Sequence, residues 1–181
     1  MLLRKQALAN EPLPKLKALE LGSGNGFLSI CLAAAMNDYN LMEEIVVTDL
    51  SDHLPLMEQT ISINDHIQKS CESKFKLIVK EHQWGKFSSE SDEGVKYDFI
   101  FGSDVAYRDY LHEPLIASIK HYSSEHTISL IGVTMHDTKP KFFESLEEAG
   151  FVYDRIADHQ MAPEFRGTTF GLFVIQKKSV A

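Results

Sequence analysis

The chain has 181 residues, 44% of them hydrophobic and 24% charged, enough apolar surface to bury a core, and residues 1–181 read as a single domain. Its net charge of −8 argues against a protein that grips nucleic acid by neutralising phosphates; it suits a cationic ligand or a basic substrate, although many acidic proteins owe their charge to solubility alone. No apolar run reaches the roughly 20 residues of a membrane span, Met1–Asn10 lacks the apolar core and cleavage site of a secretory signal, and two cysteines, Cys31 and Cys71, are too few for a disulfide framework and point to a reducing compartment.

Strand-like and helix-like runs alternate along most of the chain. Lys17–Leu21 is a short apolar run ending in a glycine cluster. Phe27, Ile30, Cys31 and Ala34 then fall at i, i+3, i+4 and i+7, which predicts a helix with Cys31 on its core face, packed and inert. Glu44–Leu50 is the second strand, rich in β-branched residues. Ser51 or Asp52 is the expected cap of the next helix, with Pro55 in its first turn and Leu54, Met57 and Ile61 facing inward. Phe75–Val79 reads as a third strand. Ser88–Gly94 (SSESDEG) is the expected mobile loop before the fourth, Tyr97–Gly102. Leu111, Leu115 and Ile119 repeat at helical spacing, Thr127–Met135 is the fifth strand, and Pro140 opens a helix that Gly150 closes. Phe142 and Phe143 read as core. The ending breaks the alternation: Phe151–Ile156 and Phe170–Gln176 are strand-like runs joined by Asp158–Thr169, whose Pro163 and Gly167 mark a long hairpin loop. Strand–helix repeats followed by a hairpin predict a mostly parallel sheet with helices on both faces and an antiparallel end.

The strongest chemical signal is ALELGSGNG, Ala18–Gly26. A strand runs into three glycines and a helix follows at once, the place where a ligand approaches backbone closely in an open parallel sheet. A P-loop needs Gly-Lys-Ser/Thr after the glycines, and Phe27 and Leu28 stand there instead. A dinucleotide turn has its third glycine at position 27, which is again Phe27. Glu20, inside the turn region, suits a cation better than a pyrophosphate. S-adenosylmethionine, with an ammonium, a sulfonium and no phosphate, meets these conditions. Asp49 ends the second strand (VVTD), where a carboxylate can accept both ribose hydroxyls; capping the next helix is its alternative task.

These residues resemble the seven-β-strand methyltransferases, and within them the protein-lysine methyltransferase group called methyltransferase-like family 16. The resemblance runs from about Ala18 to Lys178 through ALELGSGNG, VVTDL, Gln83-Trp84-Gly85, YDFIFGSDVAY and EFRGTTFGLFVIQKK. It implies a Rossmann-like seven-stranded sheet in the order 3-2-1-4-5-7-6 with strand 7 antiparallel. It implies S-adenosylmethionine as cofactor, with contacts from Glu20, Gly22, Ser23, Gly24, Asp49, Trp84 and Ser103, and S-adenosylhomocysteine as product. It implies substrate-side roles for Asp104 and Tyr107, the Asp-x-x-Tyr element after strand 4, and a protein substrate, most simply a lysine, handled by a monomer in the cytoplasm or nucleus without nucleic acid or membrane. Histidine or small-amine methylation, and a non-catalytic cofactor-binding scaffold, are the competing readings. The group has a longer N-terminal region with a further tryptophan; here about 17 residues precede the first strand, and Met1–Asn10 reads as the remnant of a preceding helix.

Methyl transfer to an amine needs a free lone pair, which an ammonium of pKa about 10.4 lacks. Asp104 can accept an N–H bond from the incoming amine and aim it; because a carboxylate raises the pKa of a nearby amine, binding and orientation come before proton removal in its role. Tyr107 can add a hydroxyl contact and an aromatic wall. The bland alternatives are a helix cap for Asp104, packing for Tyr107 and a half-buried anchor for Trp84. The eight histidines show no metal-ligand spacing, His136 sits where it could rim a pocket, and no nucleophile elbow appears.

Overall fold

The computed structural model describes residues 14–36, 41–69, 75–87, 94–138 and 140–179. Met1–Asn10, Cys71 and most of the Ser88–Gly94 run lie outside them. Seven strands form one sheet: β1 (Leu16–Leu21), β2 (Met42–Asp49), β3 (Lys76–Glu81), β4 (Tyr97–Ser103), β5 (Ser123–Thr134), β6 (Phe151–Arg155) and β7 (Phe170–Lys177). Their order is β3-β2-β1-β4-β5-β7-β6. β7 runs antiparallel to both β5 and β6, and every other neighbouring pair is parallel. The expected topology is the observed one.

The helices are α1 (Phe27–Met36), α2 (Leu54–Ile63), α3 (Asp65–Lys69), α4 (Asp109–Tyr122) and α5 (Pro140–Glu148). Successive strand residues point to opposite faces, and the core divides accordingly. Leu19, Leu21, Val46 and Ile100 pack against Leu115 and Ile119 of α4 and Phe142 and Leu146 of α5. Ala18, Ile45, Val47 and Phe101 pack on the other face with Ala33 of α1 and Met57 of α2. Burial on both faces is why β1 and β2 read as continuous apolar runs.

Three local expectations are corrected. On α1 the buried residues are Ser29, Ile30 and Ala33; Phe27 is 60% exposed and Cys31 lies on the exposed side. The helix FLSICLAAAM is apolar nearly all round, so spacing could not choose its face, and the polar Ser29 turns inward to serve a buried carboxylate. The N-cap of α2 is His53 with no side-chain capping bond, so neither Ser51 nor Asp52 caps it, although the proline does sit in the first turn and Met57 is buried. β5 begins four residues before Thr127, at Ser123, held by its pairing with Tyr97; the polar Ser124, Glu125 and His126 gave no apolar signal. Between β6 and β7 the expected loop contains two 3₁₀ turns, 158–160 and 163–165.

Candidate functional site

β1 delivers the chain at Leu21 into a turn where Gly22, Gly24 and Gly26 have φ of +67°, +61° and +79°, a region that favours glycine. At Gly22 space demands glycine as well: a Cβ there would lie 2.7 Å from Trp84 Cζ2 and 3.0 Å from Val105 Cγ1, whereas beside Gly24 the space is open. The turn closes through Gly26 N–H to Ser23 O (3.1 Å) and is tied to β2 through Ser23 N–H to Thr48 O (3.0 Å).

Glu20 lies beneath this turn. Strand alternation points it toward α1, where it is 2% exposed and accepts hydrogen bonds from Ser23 Oγ at 2.8 Å and from Ser29 Oγ. Burial pushes its pKa above the ordinary 4.5, against the opposing pull of the two serine bonds. Its place is therefore under the cavity floor, and it reaches the turn through Ser23.

Asp49 does not cap α2. Its Oδ2 accepts the Gly24 N–H at 2.6 Å and its Oδ1 accepts the Leu50 N–H at 2.7 Å. Strand end and glycine turn thus face each other across one cavity of about 700 Å³, within the range of small-molecule sites. Its walls come from the carboxyl ends of four parallel strands: Gly22 and Gly24 after β1, Asp49, Leu50 and His53 after β2, His82, Gln83 and Trp84 after β3, and Asp104, Val105 and Tyr107 after β4. Tyr110, Leu111 and Pro114 of α4 complete it.

At the far wall Asp104 holds φ +57°, unusual for a non-glycine residue and tolerated best by Asp and Asn. Its N–H donates to Gly132 O at 2.8 Å, and Thr134 Oγ1 lies 3.3 Å from its Oδ1. It caps nothing: α4 has Arg108 at its N-cap and no side-chain capping bond. Tyr107 is 46% exposed, so packing does not account for it, and the Arg108 guanidinium sits 5.9 Å from its ring centroid, a cation already drawn to that face. The carbonyl of Ala106, between them, faces His112 Nε2 at 3.1 Å and accepts from Thr138 Oγ1 at 3.2 Å.

A family model described as lysine methyltransferase matches residues 2–149. The chain belongs to that family. Among curated relatives it is 26% identical to the protein N-lysine methyltransferase METTL21A of Mus musculus, over 77% of this chain and 59% of that protein. It is 30% identical to the protein N-terminal and lysine N-methyltransferase EFM7 of Cryptococcus neoformans, over 56% of this chain and 33% of that one. The chain thus spans little more than half the length of the first relative and a third of the second. Among solved structures, a TehB-like SAM-dependent methyltransferase from Corynebacterium glutamicum shares the fold with a TM-score of 0.64 at 16% identity, covering 97% of this chain and 94% of that one.

The residues present fit the cofactor such a fold carries. The three glycines leave the backbone open to a ligand, the Asp49 carboxylate keeps lone pairs beyond its two amide bonds, and Trp84, Leu111 and Pro114 offer apolar surface for a flat base. Of the residues named from sequence for the lysine methyltransferase resemblance, Gly22, Gly24, Asp49, Trp84, Asp104 and Tyr107 meet on this one cavity, while Glu20, Ser23 and Ser103 do not line it. Leu50, His53, His82, Gln83, Val105, Tyr110, Leu111 and Pro114 also line it, and sequence reasoning gave none of them a site role. The rule that every parallel strand points its carboxyl end at the ligand would have found His82 and Gln83; the α4 residues carried no local signal. His136 is exposed and pairs with Asp137 at 3.1 Å, off the wall. Among the described residues no cluster of His, Cys, Asp and Glu could hold a metal ion, and no helix is long and apolar enough to cross a membrane.

Proposed function

We propose that this chain uses S-adenosylmethionine to methylate a lysine side chain of a protein. The observation that carries the reading is that the glycine turn, Asp49 and the Asp104–Tyr107 element all open on one cavity. The group, when bound, supplies an electrophilic methyl on a sulfonium. Asp49 would hold the ribose hydroxyls on its remaining lone pairs, and Trp84 would offer its face to the base. Gly22 and Gly24 give backbone where a side chain would intrude. Asp104 accepts an N–H from the incoming amine and fixes its direction, the kind of orientation that supplies several kcal/mol of a barrier. Both Asp104 and Tyr107 are exposed, so the proton the amine must shed can leave to water before it enters.

Lysine as acceptor draws on the names of the family and the relatives, together with the carboxylate and aromatic pair at the far wall. The test begins with S-adenosylhomocysteine binding by calorimetry. Binding by the wild type, lost in Asp49→Ala, supports the cofactor reading; NADH binding in its place overturns it. Labelled cofactor and a cell lysate then separate enzyme from scaffold: wild type must label protein that Asp104→Ala does not. Mass spectrometry of the labelled residue distinguishes lysine from histidine.

A further inference from the structure

Trp84 is the chain's single tryptophan and packs against the core beside Gly22. It stands on a short turn after β3 rather than on a strand or helix, so something else must fix its position. One end of that turn is held at the sheet, where the His82 N–H donates to Asp49 O at 2.9 Å. The other end is held by a hydroxyl on α4. Ser118 is fully buried. Its Oγ accepts the Gly85 N–H at 3.0 Å, donates to Pro114 O at 3.1 Å, and lies 2.9 Å from His82 Nε2.

A hydroxyl has one proton and two acceptor lone pairs. With the proton committed to Pro114 O and one lone pair to Gly85, the remaining lone pair meets His82, so Nε2 of that ring carries a hydrogen and donates. Every valence of the Ser118 hydroxyl is then used, and two of its three bonds go to the residues two before and one after Trp84. Gly85, at φ +74°, packs so closely on α4 that a Cβ would stand 3.1 Å from Pro114 Cβ; the turn therefore lies on the helix face where Ser118 can reach it.

We infer that Ser118 is a positioning residue for cofactor binding: its saturated hydroxyl clamps the 82–85 turn to α4 and so holds Trp84 against the glycine turn. The inference rests on the cofactor reading proposed above. Removing the hydroxyl takes the Ser118 acceptor from the part-buried Gly85 N–H and from the ring of buried His82, and the turn responds by moving toward water and taking Trp84 with it.

The experiment is a double-mutant cycle read by calorimetric titration with S-adenosylhomocysteine on wild type, Ser118→Ala, Trp84→Ala and the double variant. Ser118→Ala is expected to weaken binding about tenfold when Trp84 is present and less than about twofold when it is not. The single tryptophan gives a second readout: without ligand, Ser118→Ala should red-shift its emission and increase acrylamide quenching. Should Ser118→Ala not fold, Ser118→Cys, of similar size and with a weaker acceptor, carries the same measurements with a smaller expected loss. Equal losses in both Trp84 backgrounds, or wild-type affinity with an unshifted tryptophan, overturn the inference and leave the cofactor reading intact. A wild type that does not bind S-adenosylhomocysteine overturns both.

Discussion

The two ends of the cavity are built differently. The end made by β1, β2 and the 82–85 turn holds its shape through backbone and buried groups: Gly24 N–H on Asp49, Ser23 and Ser29 on Glu20, Gly85 N–H on Ser118. The end made by residues 104–110 presents exposed side chains, with Tyr107 46% and Tyr110 75% exposed. A rigid, inward-bonded end suits a ligand that is always the same. An open end with exposed aromatic and acidic groups suits a partner that completes the site on arrival. The lesson is that binding and acceptor choice should be separable by mutation.

The largest effect should come from Gly22→Ala. Both the positive φ and the 2.7 Å approach of Trp84 oppose a Cβ, so we expect a loss of about 2–4 kcal/mol in unfolding free energy and S-adenosylhomocysteine binding too weak to measure. Gly24→Ala shares the backbone penalty but meets open space, so urea denaturation should show only about 1–2 kcal/mol. Equal losses at the two glycines would mean that Trp84 does not press on the turn.

Next in size is Asp104→Asn, chosen because asparagine also tolerates positive φ. Methyl transfer should slow about a hundredfold while S-adenosylhomocysteine affinity stays within about twofold. A parallel fall in affinity would break the division between the two ends. Tyr110→Ser should have a smaller effect, raising the KM for the protein acceptor a few-fold and leaving both kcat and cofactor affinity in place, because Tyr110 lines the cavity while standing 75% exposed.

The sequence announces the rigid end better than the open one, and for a physical reason. A strand, three glycines and a strand-ending aspartate are local patterns, and Gly22, Gly24 and Asp49 could be placed from spacing alone. The clamp on Trp84 could not: its partners are 33 and 36 residues apart, and nothing in the α4 sequence marks Ser118 as different from any helix serine. The face of α1 was hidden because the helix is apolar nearly all round, and it is Glu20, through Ser29, that decides it. Glu20 itself looked ligand-facing because it precedes the glycines, yet period-two alternation with Leu19 and Leu21 on the opposite face already turned it toward α1.

The smallest expected effect is a slope, and it tests whether the rigid end conceals a strained charge. Burial raises the pKa of Glu20 in the folded protein, with a further upward push from the nearby Asp49 carboxylate. The folded state therefore binds this proton more tightly than the unfolded chain does, and stability falls as pH rises through the window that opens near the ordinary 4.5 and ends at the raised native value. Glu20→Gln keeps an oxygen for Ser23 and Ser29 and has no proton to lose. Below the window wild type should be at its best relative to the variant; across it the wild type should lose ground; above it the difference should level off. Subtracting the two denaturation curves at each pH removes every other titrating group from the comparison. A flat difference would mean that the serine hydrogen bonds fully offset the burial, and that the carboxylate beneath the turn is as comfortable ionised as it is in water.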